Sequence, residues 1–444
     1  MRIAIIGSGA AGLGAAWLLS QRYDTVLYEA ASKLGGHANT VDVPGPDGVV
    51  PVDTGFIVYN EHNYPNLTAL FRHLGVETEA SDMSFAVSLA NGGYEYEGSA
   101  GGFFGQRRNL LRPKQWRLLV DIRRFFREAP AILLQPDQQV SLGDYLKTNR
   151  YSKTFAYDHL LPMAAAIWSS SVEDVLAFPA RSFISFYANH GLLRFSDRPE
   201  WRTVSGGSRS YVESISSSFR KQVRLSTPVA AVRRLNPGLE VVDTKGHKDR
   251  FDAVVMASHA DQSLAILGEE ASPLERKVLG AFRYQENRAV LHSDESLMPR
   301  RKRLWASWNY LSPQRRDDGE RLAVTYWMNR LQNLDPSLPL FVTLNAYREP
   351  DPSKVHANFT YDHPQFDKAA LEAQALLPEI QGAEGLWFCG SYCGFGFHED
   401  ALQSGLAVAG RFGLATPWAD EIRPSGPAWR SVIPDAKGLP AAAE

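Results

Sequence analysis

The chain has 444 residues, a formal net charge of −2 and 44% hydrophobic residues, a composition typical of a globular protein with two domains or one large domain with an inserted lobe. The near-zero net charge favours neither nucleic acid nor an anionic membrane as a partner, and two cysteines, Cys389 and Cys393, are too few for a disulfide framework. No stretch reaches the ~20 apolar residues of a membrane span, so we expect a cytoplasmic protein, with peripheral contact at the inner membrane face left open.

The first 29 residues follow the order strand, glycine turn, helix, strand and acid. Residues 3–6 form an apolar β-run, the next turn contains Gly7, Gly9 and Gly12, and a second β-run ends at Glu29. In this pattern the glycines permit a tight turn, close approach to a pyrophosphate, and close packing of helix on strand. The carboxylate accepts hydrogen bonds from a ribose diol. The context predicts a dinucleotide site rather than an ordinary βαβ unit with a glycine-rich turn.

The residues after the acid favour FAD over NAD. Gly35, Gly36 and His37 resemble the extended fingerprint of FAD proteins, in which two glycines pass near the pyrophosphate and an arginine usually follows. Here His37 takes the place of that arginine, and we expect it to have a structural position near the pyrophosphate. The predicted cofactor contacts of this segment are Gly7, Gly9, Ala10, Ala11, Gly12, Glu29, Ala30, Gly35, Gly36 and His37.

Three weaker signals follow along the chain. A turn after Asp53 reads, by itself, as a plain strand end, and residues 254–258 form a hydrophobic run of the buried parallel-strand type. Near the C-terminus, a β-run ends at Gly390 and a helix with many small residues begins near His398. A helix N-terminus suits the flavin edge on which negative charge grows during reduction.

In this order, and over almost the whole chain, the segments resemble the flavoprotein family of monoamine oxidase, protoporphyrinogen oxidase and phytoene desaturase. The resemblance implies that Val229 binds the adenine side through its backbone, that Ser391 contacts the phosphate–ribityl region, and that Asp400 with Ala401 meets the flavin ring edge. It also implies contacts to FAD from Thr54, Gly55, Phe56, Ala257, Ser258, Gly390, Glu399 and Ser404.

A closer resemblance rests on residues 35–40 and 392–400. They are similar to those of bacterial flavoproteins linked to phospholipid acyl-chain modification, one group of which desaturates methyl-branched acyl chains on the route to furan fatty acids. This resemblance implies a lipid-like substrate.

The predicted fold class is α/β, with a Rossmann-like FAD-binding domain built on a doubly wound, mainly parallel sheet and a discontinuous α+β substrate domain. Residues 1–80, 201–265 and 376–413 are assigned to the FAD-binding domain, 81–200 and 266–375 to the substrate domain, and 414–444 to an irregular tail. The two inserts are rich in aromatic residues, which form either a packed core or a substrate tunnel.

Residues 107–127 hold eight basic side chains against one acid, Asp121, with apolar residues between them. After Pro113 the pattern predicts a basic amphipathic helix, which either lies on an anionic bilayer or presents a solvated basic face. A lipid substrate would favour the bilayer. The sequence predicts no nucleic-acid partner and leaves the oligomeric state open.

FAD carries the redox chemistry, so the protein must hold the substrate near the flavin and in some cases move a proton. His398 is the candidate acid, base or flavin-tuning residue, with a plain helix-start histidine as the alternative. We expect no metal, because Cys389, Cys393 and His398 lack a fourth ligand, and covalent attachment of the flavin to Cys393 is a minor alternative.

Three functions compete at this stage. The first is an FAD-dependent desaturase or dehydrogenase of a methyl-branched acyl chain, and the second is a flavin amine oxidase. The third is a flavin-binding partner protein without turnover of its own.

Overall fold

The computed structural model describes residues 1–135, 140–168, 171–313, 323–422 and 426–432. Parts of the predicted tail, 423–425 and 433–444, lie outside these residues. The strands are β1 (Arg2–Ile6), β2 (Asp24–Tyr28), β3 (Thr40–Gly45), β4 (Gly48–Asp53), β5 (Tyr59–Asn60), β6 (Thr78–Ser81), β7 (Phe85–Leu89), β8 (Tyr94–Glu97), β9 (Trp201–Val204), β10 (Val223–Arg224), β11 (Val229–Arg234), β12 (Leu239–Asp243), β13 (Lys248–Phe251), β14 (Ala253–Met256), β15 (Arg283–His292), β16 (Trp308–Ser312), β17 (Ala323–Trp327), β18 (Phe341–Leu344), β19 (Val355–Gln365) and β20 (Leu386–Phe388).

The helices are α1 (Ala10–Leu19), α2 (Pro65–Leu74), α3 (Ala100–Phe103), α4 (Pro113–Glu128), α5 (Leu142–Thr148), α6 (Lys153–Phe155), α7 (Leu161–Trp168), α8 (Val172–Ala177), α9 (Ala180–Asn189), α10 (Arg209–Ser216), α11 (Ala260–Leu267), α12 (Pro273–Leu279), α13 (Met328–Leu331), α14 (Lys368–Ile380), α15 (His398–Arg411) and α16 (Pro427–Arg430). No helix of the described residues is long and apolar enough to cross a membrane.

A five-stranded parallel sheet in the order β10-β2-β1-β14-β20 forms the centre of the first domain. Its strands are buried on both faces: Ile3 and Ile5 of β1 pack into one core with α1 and α15, while Ala4 and Ile6 pack into another with α11, α12 and α14. Apolar residues at successive positions, without alternation, are typical of such a sheet. The predicted α/β class is confirmed.

Helices α1 and α15 lie in backbone contact, which the small residues of both permit. A Cβ on Gly405 would overlap the carbonyl oxygen of Ala11, and one on Gly14 would lie 2.7 Å from Leu402 Cδ1. A Cβ on Gly12 would overlap the Gly7 carbonyl oxygen, so the same helix also packs tightly on its own glycine turn. The two helices are therefore held together by main-chain contact at Gly405 and by the packing of Leu402 on Gly14.

The second lobe is built on a seven-stranded mixed sheet in the order β19-β15-β18-β17-β16-β7-β8. One large apolar core joins this sheet to α4–α9, and many of the aromatic residues of the inserts are buried in it, among them Phe155, Phe183 and Tyr187. Most of the predicted aromatic set therefore stabilises the lobe itself.

Helix α4 begins at Pro113, as predicted, but its main apolar face is not free. Leu118, Ile122 and Phe125 are buried in the core of the second lobe. Asp121 is buried as well and binds the guanidinium groups of Arg117 and Arg124 at 3.1 and 3.6 Å. The helix is thus a core element with a basic outer face, and the apolar face formed by these three residues is not available to a bilayer.

Replacing Gly405 by alanine should lower the free energy of unfolding by about 1–3 kcal/mol, because the new methyl group forces α15 away from α1. Urea unfolding of Gly405→Ala beside Gly101→Ala tests this, since a Cβ on Gly101 meets nothing within 4 Å. Equal midpoints for the two variants would contradict the backbone contact.

Candidate functional site

The glycine turn after β1 faces open space beside the start of α1, which we name the cleft. Gly7 has a φ of 102°, and a Cβ there would lie 2.8 Å from the carbonyl oxygen of Ala257, so the turn packs directly on the end of β14. A Cβ on Gly9 would meet nothing within 4 Å, whereas one on the exposed Gly36 would lie 3.0 Å from Gly9 Cα. Two glycine backbones therefore line one edge of the cleft, and α1 directs its free N–H groups there, an arrangement that fits a diphosphate.

Glu29 holds its carboxylate at one end of this cleft. Oε2 accepts a hydrogen bond from Ser8 N at 2.9 Å, and Oε1 accepts one from Ala31 N at 2.8 Å. Thr227 N donates to Glu29 O at 2.9 Å, which brings the start of β11, and Val229, beside the acid. Glu29, the exposed Ala30 and Val229 thus meet where the resemblance expects the adenosine part of FAD.

Asp53 fastens the next turn in place. Its Oδ1 accepts hydrogen bonds from Thr40 Oγ1 at 2.6 Å and Ser208 Oγ at 2.7 Å, Ser208 N donates to the carboxylate at 2.9 Å, and Gln332 Nε2 donates to Oδ2 at 3.1 Å. Burial raises the pKa of Asp53, and the hydrogen bonds from Thr40 and Ser208 oppose that rise.

The residues after Asp53 form one layer of the site with the Gly35–His37 loop. Phe56 N donates to His37 O at 2.8 Å, and a Cβ on Gly55 would overlap that same oxygen. Thr54 Oγ1 donates to Asn39 O at 3.1 Å and lies 2.6 Å from Tyr361 Oη. The predicted Thr54, Gly55 and Phe56 are therefore brought against His37, as one continuous wall.

The C-terminal segment uses its acids for structure. Glu399 accepts hydrogen bonds from Asn66 N and Leu67 N, both at 2.9 Å, and so caps α2. Asp400 Oδ2 accepts from Phe395 N at 2.9 Å and Phe397 N at 3.0 Å, and burial raises its pKa to about 7. Neither carboxylate is directed at the cleft as a free charge.

The remaining residues predicted to contact the cofactor are small, and their side chains bond to neighbouring elements. Ser404 Oγ accepts a hydrogen bond from Gly390 N at 2.9 Å and donates to Ala401 O at 2.8 Å, and thereby joins the turn at Gly390 and Ser391 to α15. Ser258 Oγ lies 2.9 Å from Ser263 Oγ at the start of α11, one residue beyond Ala257.

His398 lies between an aromatic ring and a phenol. Its imidazole stacks on Phe56 with ring centroids 4.0 Å apart, and its Nε2 lies 2.6 Å from Tyr211 Oη. Burial lowers the pKa of His398 to about 3. The imidazole is therefore neutral at ordinary pH and a weak proton acceptor, and its catalytic role stays a prediction.

A cluster of three histidines lies beside the cleft, and the sequence identified only one of them. The ring of His37 lies 5.5 Å from that of His363 and 6.1 Å from that of His259, with Tyr361 at 5.0 Å. His259 directly follows the predicted Ala257 and Ser258 pair, a signal that could have identified it. His363 comes from β19 of the second lobe, and no local pattern indicates it.

This histidine cluster (His37, His259 and His363) is uncharged. Burial holds the pKa of His37 well below its usual value, and it lowers those of His259 and His363, the latter to about 4. Within the described residues, His37 Nε2 and His259 Nδ1 are buried without a hydrogen-bond partner. Two unpaired ring nitrogens beside a glycine-lined cleft fit an anionic group such as the diphosphate of FAD.

Cys389 and Cys393 are both free, buried thiols. Burial raises the pKa of the Cys393 thiol to about 12, so this group stays protonated at neutral pH. In the described part of the chain, no group of three or more His, Cys, Asp or Glu side chains is arranged to hold a metal ion.

Replacing Asp53 by asparagine should lower the free energy of unfolding by about 1–3 kcal/mol, because an amide places a donor against the donors of Ser208 or Gln332. Thermal unfolding of Asp53→Asn beside the exposed Asp47→Asn provides the comparison. If the two variants unfold at the same temperature, the hydrogen bonds of Asp53 do not stabilise the site.

FAD affinity should be highest at mildly acidic pH and fall as pH rises. A diphosphate beside His37 raises the pKa of the imidazole, so FAD binding is accompanied by the uptake of a proton. The additional affinity from this proton is lost as pH rises toward the pKa of His37 in the complex. For one proton, the affinity changes by up to ~tenfold per pH unit. His259, His363, His398 and Tyr361 are the other titratable groups that face His37. Flavin fluorescence titration of the apoprotein measures this.

His37→Arg should bind FAD with little dependence on pH, because arginine keeps its charge throughout. His73→Arg, at the exposed end of α2, should behave as the wild type. A wild-type affinity that is the same at acidic and alkaline pH would rule out a charge on the histidine cluster.

Comparison with known proteins agrees with this geometry. The model of the family "Flavin containing amine oxidoreductase" matches residues 10–292, more than half of the chain. No curated protein matches this chain.

Solved structures share the fold at low sequence identity. A fatty acid isomerase from P. acnes has a TM-score of 0.67 and 15% identity, covering 93% of this chain and 98% of its own. Putrescine oxidase bound to putrescine has a TM-score of 0.68 and 13% identity, covering 93% and 99%. Cyclohexylamine oxidase from Brevibacterium oxydans IH-35A has a TM-score of 0.65 and 15% identity, covering 92% and 98%. The chain belongs to the flavin-containing amine oxidoreductase family and is an FAD-dependent oxidoreductase.

Proposed function

We propose that this chain is a desaturase or dehydrogenase that removes hydrogen from a lipid-like, methyl-branched acyl chain. When bound, FAD supplies the hydride acceptor at N5. The chain's own contribution is to hold the acyl chain against the flavin and exclude water from the reacting carbon.

The observation that carries this proposal is the aromatic wall at the start of α15. Phe397, the residue before His398, stacks on Phe186 with ring centroids 5.0 Å apart and an interplanar angle of 11°. The ring centroid of Phe186 in turn lies 4.6 Å from that of Trp168, a partly buried residue of the second lobe. An uncharged wall that runs from the flavin end into an apolar lobe suits a hydrocarbon chain.

The charges around the site support the same substrate. Glu399 and Asp400, the acids closest to that wall in sequence, are satisfied by backbone N–H groups. The histidines are held neutral by burial. A cationic substrate would have to lose its hydration without gaining a free carboxylate, which costs binding free energy.

An amine oxidase remains the second candidate. The family model and the two amine oxidases with the same fold favour it. A flavin-binding partner without turnover is the third possibility, and the substrate tests below would identify it by the absence of any reductant.

Anaerobic bleaching of the bound flavin tests the proposal. Phospholipids with methyl-branched acyl chains should reduce the flavin, while putrescine, cyclohexylamine and NADH should not. Phe186→Ala should slow reduction by the lipid roughly tenfold or more, because a cavity replaces part of the wall. Phe412→Ala, which removes a ring beside Trp387 at the C-terminal end of α15, serves as the control. Bleaching by amines alone would replace the lipid proposal with the amine oxidase.

A further inference from the structure

Two basic segments, distant in sequence, form one surface on the second lobe. Residues 107–117 and 300–303 contain no acid, and together we name them the basic shelf. Arg303 donates a hydrogen bond to Gly105 O, and Arg301 donates to Gly92 O at 3.2 Å, which joins the second segment to the loops beside the first. The cations of the shelf are Arg107, Arg108, Arg112, Lys114, Arg117, Arg300, Arg301, Lys302 and Arg303.

Only part of this charge is neutralised. Arg301 pairs with the buried Glu95, Lys302 with Glu295 at 2.7 Å, Lys114 with Asp158 at 3.7 Å and Arg117 with Asp121 at 3.1 Å. By contrast, Arg107, Arg108, Arg300 and Arg303 form no ion pair with a carboxylate of the described residues. The shelf therefore carries a local positive charge that the net charge of −2 conceals.

Large apolar side chains project from the same place. Leu111 is 87% exposed, Leu110 49% and Trp116 48%. Trp116 Nε1 donates to Leu110 O at 2.9 Å, and its ring lies 4.9 Å from that of Phe104, so the indole is held in position. Exposed leucines and a fixed tryptophan among arginines are typical of surfaces at the interface of a bilayer.

A pocket of ≈ 560 Å³ lies at the edge of the shelf. Arg108, Arg300 and Arg301 line it together with the turn of residues 90–93. Guanidinium groups around a glycine-rich turn suit the phosphate of a lipid headgroup.

We propose that the basic shelf docks the second lobe on an anionic phospholipid bilayer, with Leu110, Leu111 and Trp116 entering the interfacial region and Arg108 and Arg300 binding lipid phosphates. The surface differs from an in-plane amphipathic helix, because the apolar face of α4 is buried in the core. Nucleic acid is the weaker partner, since it gives exposed leucines no apolar surface to enter. The docking deepens the proposed function by naming the source of a lipid substrate, but binding to a bilayer does not depend on turnover.

Vesicle co-sedimentation of the FAD-loaded protein tests the docking. The protein should bind vesicles of phosphatidylcholine mixed with phosphatidylglycerol, bind vesicles of phosphatidylcholine alone far less, and lose binding as salt is raised. Arg107→Glu/Arg300→Glu should lower the partition coefficient roughly tenfold or more. Leu111→Ser should lower it severalfold without changing the charge.

Matched variants on the first domain provide the controls. Arg220→Glu/Lys221→Glu makes the same change in charge, and Leu225→Ser removes a leucine that is 41% exposed. Both should keep wild-type binding, and unchanged thermal unfolding of every variant shows that folding is intact.

Three results would contradict docking by the basic shelf. They are no binding to anionic vesicles, an equal loss of binding in the shelf and control charge variants, and displacement of the vesicles by an oligonucleotide that binds more tightly. Vesicle binding without bleaching of the flavin by any lipid would support the docking and contradict the proposed substrate. Bleaching by detergent-dispersed lipid without vesicle binding would support the proposed substrate and contradict the docking.

Discussion

Asp53 is a buried carboxylate on which three parts of the chain converge. It ends β4, receives Ser208 at the start of α10, and receives Gln332 from the second lobe. Burying a carboxylate is unfavourable unless donors surround it. Here the side chains of Thr40, Ser208 and Gln332 and one backbone N–H supply those donors, so the charge is stable only while all three parts stay in place. The turn at Thr54–Phe56, the His37 loop and the ring of His398 follow from that position through direct contacts.

The site that results is poor in free charge. Its acids are tied to backbone N–H groups, and its histidines are kept neutral by desolvation. Such surroundings leave the charge of the diphosphate to helix dipoles, glycine N–H groups and imidazoles. At the other end, Phe397 and Phe186 present only hydrocarbon. The two regions differ in what they suit: the first suits an anion, and the second suits an apolar group.

Local sequence predicted the parts of the site that depend on neighbours in the chain. The glycines at 7, 9 and 12, the acid at Glu29 and the small residues of α15 each act within one turn or one strand–helix unit, where spacing determines geometry. Glu399 shows the limit, because its carboxylate caps α2, more than 300 residues earlier, and nothing around position 399 indicates that partner. The same holds for His363 and for residues 300–303, whose roles come from contacts between distant segments. The amphipathic pattern of residues 107–127 correctly predicts a helix after Pro113, but the apolar face of that helix packs into the core of the second lobe.

Because α1 and α15 are in direct contact, the distance between the two helix starts that border the cleft is fixed. Gly405 rests on the main chain of Ala11, so no side chain separates the two helices at that point. The two positive helix ends are therefore held at one separation, independent of what occupies the second lobe. The side chains that line the second lobe can differ, and the substrate with them, without a change in the distance between the two helix ends at the cofactor. A fold of this kind separates the choice of substrate from the choice of cofactor, and the solved structures that share it at 13–15% identity include a fatty acid isomerase, a putrescine oxidase and a cyclohexylamine oxidase.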